Sequence, residues 1–316
     1  MLLINTPIIF IAFNRPSTTS RVFNVIKRAR PKQLYLVCDG PRPHVDKDEY
    51  ACAAVKKILD KIDWDCNVYR DYSSENMGCR DRVYSGISNA FNHFESAIIL
   101  EDDCYPDDTF FRYCEIMLEK YKDDERVMHI NGTNQCGPDV INKDSICFSR
   151  FAHVWGWATW KRAWLKSDVT ISKWPEYKQM GLINVLPFEK VVKDHLAHLF
   201  DSVYSGAMNT WDFQWQFQIF YHNGICITPN RNLISNIGFI KNSTHTSDEA
   251  STFADLKRFP MRFPMQLPRE VICNEEFDRI DANLSYCVPD KKRFQKIFRS
   301  FQKRKRAIKR FFLGFN

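Results

Sequence analysis

With 316 residues and 44% apolar composition, the chain can bury a sizeable core as one large α/β domain or two smaller ones, and it reads as globular. Its net charge of +7 comes from one place: eleven Lys or Arg and no acid lie between Lys291 and Arg310, so the rest holds 34 basic against 38 acidic residues, which excludes a generally basic surface for nucleic acid. Eleven scattered cysteines with no C-x-x-C pair argue against zinc and a disulfide framework and for free thiols in a reducing cytosol. With no run of about 18 apolar residues and a start that leads directly into a strand, neither secretion nor a membrane span is expected.

Taken in order, Pro7 to Phe13 predicts a first strand, followed by Asn14-Arg15-Pro16-Ser17, where Ser17 or Thr18 is placed to cap a helix through Val22, Phe23 and Ile26. Leu34 to Cys38 is a second strand ending at Asp39-Gly40-Pro41. This alternation predicts a parallel sheet with right-handed crossovers. A charged helix over Asp46 to Ile62 and a short strand over Cys66 to Arg70 continue it, and Glu75-Asn76-Met77-Gly78 turns into a helix carrying Val83, Ile87 and Phe91. Asn14, Arg15 and Asp39 therefore fall at carboxyl ends of strands. An Asp and an Arg there suit a nucleotide, the Asp accepting a base or ribose hydrogen and the Arg balancing phosphate. Equally, Arg15 reads as a surface cation and Asp39 as a turn former before Gly40. Neither G-x-G-x-x-G nor G-x-x-x-x-G-K-[ST] occurs in this half, which speaks against a dinucleotide oxidoreductase or a P-loop NTPase.

Ala97-Ile98-Ile99-Leu100 suits a buried central strand, and it stops at Glu101-Asp102-Asp103. Ligands of open α/β sheets collect at such ends. Three adjacent carboxylates repel one another, a cost tolerated when a divalent cation shared with substrate phosphates sits among them. The alternative is an acidic start to the helix that includes Phe110 to Tyr113.

The second half carries Phe151 to Trp160, with Trp164 and Trp174 after it. Trp160 and Trp164 read as one packed helix face, and Trp155-Gly156-Trp157 as a turn whose rings either pack or stack on a sugar. Asp212, between Trp211 and Phe213 at the start of a helical run to Tyr221, reads as a partly desolvated general base or as an N-cap. Residues 251–290, with Pro260, Pro264 and Pro268, show no clear periodicity and read as a wrapping or acceptor-side segment. In the tail at 291–316, Phe294, Ile297, Phe298, Phe301, Ile308, Phe311 and Phe312 recur at helical steps among cations. That pattern predicts an amphipathic helix lying on anionic lipid; docking on the acidic body or on nucleic acid is the alternative.

In the order Ile98–Asp103 with Asp108–Tyr113, Phe151–Trp164, Trp211-Asp212 and Ile237-Gly238-Phe239 to His245, the chain resembles GT-A-type nucleotide-diphospho-sugar transferases, most closely the inverting N-acetylglucosaminyltransferase I type. The resemblance covers roughly residues 7–250 and rests on the motifs occurring together. It implies a GT-A, Rossmann-like α/β fold with a mostly parallel sheet and flanking helices, its nucleotide-binding half at about 1–135 and its acceptor half at about 136–250. It further implies that Asp103 ligates Mn²⁺ or Mg²⁺, that Glu101 and Asp102 hold ribose and sugar, and that Asp39 contacts a uracil base. Asp212 would deprotonate the acceptor, Trp157 would lie at the sugar, and His245 would touch donor or metal within a closing segment that includes Lys241 to Thr244. The chain lacks the amino-terminal anchor and stem of the Golgi enzymes, which moves anchoring to the basic tail. The expectation is therefore a cytoplasmic, metal-dependent glycosyltransferase held on the inner face of the plasma membrane. It would use a nucleotide-sugar donor, UDP-linked, and a saccharide or lipid-linked saccharide acceptor of a bacterial surface polysaccharide or related glycan, with no nucleic-acid partner. A sugar-phosphate nucleotidyltransferase would need a Gly-rich loop that Ile11 to Pro16 lacks, and a silent carbohydrate-binding module would not need the acid triplet.

Overall fold

A computed structural model describes residues 4–137, 140, 144–238 and 256–286. In chain order its elements are β1 (Ile8–Ala12), α1 (Pro16–Ala29), β2 (Gln33–Cys38), α2 (Asp46–Leu59), β3 (Asn67–Tyr72), α3 (Gly78–Ala90), β4 (Ser96–Glu101), β5 (Cys104–Pro106), α4 (Thr109–Lys120) and β6 (Val127–Asn131). They continue with β7 (Ile146–Ser149), β8 (Trp157–Trp160), α5 (Lys161–Trp164), α6 (Trp174–Gln179), α7 (Lys190–Tyr204), α8 (Asp212–Tyr221), β9 (Ile225–Pro229), β10 (Ile234–Asn236) and α9 (Glu275–Tyr286).

β1 is apolar throughout because it is covered on both faces: Ile8, Phe10 and Ala12 enter one core layer, while Ile9 and Ile11 enter the other. It lies inside an eight-stranded sheet of order β3-β2-β1-β4-β8-β6-β9-β7. The first four strands are mutually parallel, β9 is parallel to β6, and only β8 and β7 run against their neighbours. The fold is thus a Rossmann-like α/β sheet, mostly parallel, flanked by helices. The chain leaves β1 through β2 and β3 on one side and returns as β4 on the other, so strand order reverses at the β1–β4 boundary, where open sheets form a crevice. Register puts Ile11 beside Glu101 and Ala12 beside Cys38. Hence Phe13 to Arg15, Asp39 and Glu101 to Asp103 all leave the sheet at one edge.

Two local expectations are corrected. α1 begins at Pro16 with Arg15 at its cap, and the Thr18 and Thr19 hydroxyls donate back to the Arg15 carbonyl at 3.2 and 2.7 Å, so neither Ser17 nor Thr18 caps it; proline's fixed φ suits the first helical position. Trp160 and Trp164 do not share a helix face. Trp160 ends strand β8 and joins the layer under α4, its Nε1 donating to the Leu118 carbonyl at 3.1 Å, whereas Trp164 in α5 packs in the opposite layer. Within 251–290, residues 275–286 form helix α9, which buries Phe277, Ile280 and Leu284 together with Asp278 and Asp281. The 291–316 tail lies outside the described residues.

Candidate active site

A cavity of about 250 Å³ opens at the β1–β4 crevice. Of the residues singled out from sequence, it brings together Arg15, Asp39, Glu101, Asp102, Asp103 and Asp212. Its acidic wall is the end of β4. Asp102 is buried; its Oδ2 accepts from the Phe13 amide at 3.2 Å and the Thr19 hydroxyl at 3.5 Å, and its Oδ1 stands 2.8 Å from Arg15 Nη2 as an ion pair without hydrogen-bond geometry. Asp103 Oδ2 accepts from Arg15 Nη1 at 2.8 Å, and its Oδ1 receives a weak contact from the Cys104 thiol at 3.5 Å. Burial works against the Arg15 charge, but Asp102, Asp103 and Glu101 more than reverse that and hold the guanidinium protonated. Glu101 is pushed well up from the ordinary carboxylate range, first by desolvation and then by Asp103. Asp102 is raised as well, by desolvation that Arg15 only partly offsets. One guanidinium among three carboxylates leaves the wall short of positive charge.

This wall suits a hard divalent cation of the Mg²⁺ or Mn²⁺ type. Among the described residues no three His, Cys, Asp or Glu converge as a dedicated metal cage. Mg²⁺ in phosphate-transfer sites is held by one or two carboxylates, with water and substrate phosphates completing its shell. Asp103, whose Oδ1 has only the thiol contact, and Glu101 provide that number.

Gly238 closes over this wall. The Ile237 amide donates to the Asp103 carbonyl at 2.8 Å, and the pairing of Asn236 in β10 with Cys104 in β5 brings the backbone across. A Cβ on Gly238 would run into the Asp103 carboxylate and stand 2.9 Å from Arg15 Nη1, so a larger residue there would have to push the pair aside. His245 and Lys241 to Thr244 lie outside the described residues.

Asp39 lines the cavity, but its two oxygens serve the backbone after it and the turn before α3. They accept from the amides of Gly40, Met77 and Gly78 and from Asn76 Nδ2, all at 2.9–3.1 Å. Four donors fill a carboxylate, which leaves none of its lone pairs for a base. Burial raises Asp39, with the three amides pulling the other way. Gly40 allows the approach: a Cβ there would stand 2.5 Å from the Glu75 carbonyl carbon. Asn14 does not line the cavity; its Nδ2 donates at 2.7 Å to Asp48 Oδ1, which also accepts from Arg42 Nη2 at 3.0 Å. Arg42, absent from the sequence reading, lines the cavity with its guanidinium 5.6 Å above the Phe13 ring. Its place two residues beyond Gly40, on a loop leaving a strand end, was the available signal.

The opposite wall is aromatic. Asp212 opens α8, and its Oδ1 accepts from the Phe213 amide at 3.0 Å and from the Thr210 hydroxyl, so the helix-start and cavity-facing roles coexist. Trp155 lines the cavity and Trp157 does not. Trp157 is 0% exposed, stacked between His129 at 4.9 Å and Trp211 at 5.8 Å, so the expected contact between Trp157 and a sugar is corrected: strand alternation turns its ring into the core. His129 beneath it accepts from Trp215 Nε1 at 3.0 Å and is held neutral, pushed down to about 3, chiefly by burial.

The segment leading to Trp155 is fastened from three elements. Gln216 of α8 bonds the Ala152 amide at 2.8 Å and the Arg150 carbonyl at 3.0 Å, Asn131 of β6 bonds the Phe151 carbonyl at 2.9 Å and the His153 amide at 2.6 Å, and α9 supplies two buried aspartates. Asp278 pairs with Arg150 at 2.8 Å and Asp281 with His153 Nε2 at 2.7 Å. Desolvation pushes Asp278 up to about 6 despite its hydrogen bonds from Ser149 and Arg150.

No family model matches the sequence, and no curated protein does. Solved structures resemble the chain at low identity. Mouse xyloside xylosyltransferase 1 matches at 9% identity over 70% of this chain and 82% of that one, with a TM-score of 0.35. A UDP-glucose pyrophosphorylase complexed with UDP-glucose matches at 7% identity over 71% and 90%, also with a TM-score of 0.35. HddC from Yersinia pseudotuberculosis matches at 12% identity and a TM-score of 0.27 over 40% of this chain, which spans 56% of that protein's length. These likenesses assign no residue of this chain. No helix among the described residues is long and apolar enough to cross a membrane.

Proposed function

We propose that the chain is a metal-dependent inverting glycosyltransferase that moves a sugar from a UDP-linked donor to a hydroxyl of a saccharide acceptor. The observation that carries this reading is one cavity with an acid triplet and arginine on one wall and Asp212, from a separate element, on the other. A diphosphate needs cations around it, and Arg15 supplies one. Mn²⁺ or Mg²⁺, when bound by Asp103 with Glu101, would neutralise the departing diphosphate. Asp102, tied to Phe13, Thr19 and Arg15, fixes the end of β4 so that its neighbours point into the cavity. Asp39 shapes the base end by holding the 76–78 turn, and Phe13 beneath Arg42 offers a face for a base.

Across the cavity, Asp212 Oδ1 is held by Thr210 and Phe213, which orients the carboxylate. It would take the proton of the acceptor hydroxyl as that oxygen attacks the anomeric carbon opposite the leaving diphosphate. Trp155 offers its ring to the sugar's C–H face in the place first given to Trp157. The sequence of the 291–316 tail supports a lipid-linked acceptor in bacterial surface polysaccharide, lipopolysaccharide or related glycan synthesis, with the enzyme peripheral on the inner face of the membrane.

Calorimetric titration of UDP with Mn²⁺, with Mg²⁺ and with chelator tests the donor side, followed by a panel of nucleotide sugars under the best metal. Metal-dependent UDP binding supports the proposal. Absence of UDP binding under every metal defeats it.

A further inference from the structure

Arg15 uses one nitrogen on each of two neighbouring carboxylates: Nη2 stands 2.8 Å from Asp102 and Nη1 2.8 Å from Asp103. A divalent cation ligated by Asp103 would compete for the carboxylate that Arg15 holds, and two cations so close repel. A metal arriving alone on Asp103 Oδ1 draws on the carboxylate whose Oδ2 Arg15 holds and faces the guanidinium's charge at close range, with nothing to balance the two cations. A diphosphate arriving alone has to draw Arg15 away and face three carboxylates left without their cation. When both arrive, the charges rebalance: the metal takes the acids, and the guanidinium, whose flat fork matches phosphate as well as carboxylate, takes the diphosphate. Among the described residues, the one lying over the pair is Gly238, which carries no side chain.

We propose that Arg15 is a displaceable internal counter-ion that makes metal and nucleotide bind together and poorly apart. This rests on the reading of the cavity as a nucleotide-sugar site. It adds that the acid wall discriminates against free metal, so that the two ligands enter as a coupled pair, each raising the other's affinity by the same factor.

The test measures Mn²⁺ alone by the electron paramagnetic resonance signal of the free ion, and UDP with and without saturating Mn²⁺ by calorimetry. Wild type is compared with Arg15→Gln and Arg15→Lys. In wild type, UDP should raise Mn²⁺ affinity by about tenfold or more. Arg15→Gln should bind Mn²⁺ alone about tenfold more tightly than wild type and bind UDP with Mn²⁺ more weakly, so the mutual enhancement shrinks. Arg15→Lys should fall between them, because one ammonium lacks the two fixed nitrogens that bridge both aspartates. Thermal unfolding verifies each fold, and Mn²⁺ alone should raise the midpoint of Arg15→Gln more than that of wild type.

Unchanged or weaker binding of Mn²⁺ alone to both folded variants overturns the proposal and leaves Arg15 as a phosphate contact. Wild type that binds UDP under no metal overturns the reading of the cavity as well.

Discussion

The two walls of the cavity are built on different physics. The charged wall is built at the ends of parallel strands, where Asp102 and Asp103 share Arg15 and Asp39 ties down a turn. The aromatic wall is made of stacked rings, with Trp157 between His129 and Trp211 and a single carboxylate, Asp212, standing at its edge. Charged groups that must meet a ligand sit where strands stop, because only there does the sheet leave them partly wet. Aromatic side chains dense in the sequence serve first to fill the space behind such a wall. A run of tryptophans is therefore a poorer guide to a sugar contact than an apolar strand that ends in acids.

Substitutions can break this division. Asp103→Ala has the largest expected effect: metal-dependent UDP binding should fall by more than the roughly 10- to 100-fold that losing an outer-shell partner costs, and transfer should go with it. Calorimetry with Mn²⁺ and with chelator checks this, and undiminished metal dependence would remove Asp103 as a ligand. Asp212→Asn, on the other wall, should leave UDP affinity within about twofold while transfer falls by about 10²–10⁴-fold. An active Asn variant would take the base role from Asp212.

Trp157→Ala and Trp155→Ala sharpen the contrast within the aromatic wall. The first should lose about 3–5 kcal/mol in denaturant unfolding, as truncation of a buried aromatic does. The second should change stability much less and weaken nucleotide-sugar binding instead. Equal stability losses would place both rings in the core.

The smallest effect is on pH. Asp278 is held above its ordinary value, up to about 6, so the native state binds its proton more tightly than the unfolded chain does. Its contribution is present below the unfolded carboxylate range and is lost as pH rises through about 6. Asp278→Asn should flatten that decline in thermal melts across pH 4–7; an unchanged slope would assign the decline to other groups.

The charged wall was largely legible in the sequence because its signals are local. Ile98 to Leu100 are buried and run straight into acids, and Arg15 and Asp39 follow strands whose apolar runs mark their ends. What these side chains touch was not legible. Arg15 meets Asp103 across 88 residues of chain, and Asn14 turns to Asp48 because Arg42 has gathered that carboxylate. β8 was hidden because tryptophans four apart satisfy a helix as well as a strand, and only its place between β4 and β6 decides. α9 was hidden by its acids: Asp278 and Asp281 look solvent-facing until Arg150 and His153 arrive from 128 residues away.

The position of β8 bears on how the molecule can be divided. This strand comes from the second half of the chain yet pairs along both β4 and β6, so it closes the open flank of the acid-bearing strand. A fragment ending near residue 135 would keep Asp39 and Glu101 to Asp103 but expose the backbone donors and acceptors of β4, an invitation to self-association. The portion carrying the acid wall is therefore not a detachable module, since the strand beside its acids is supplied by the second half of the chain.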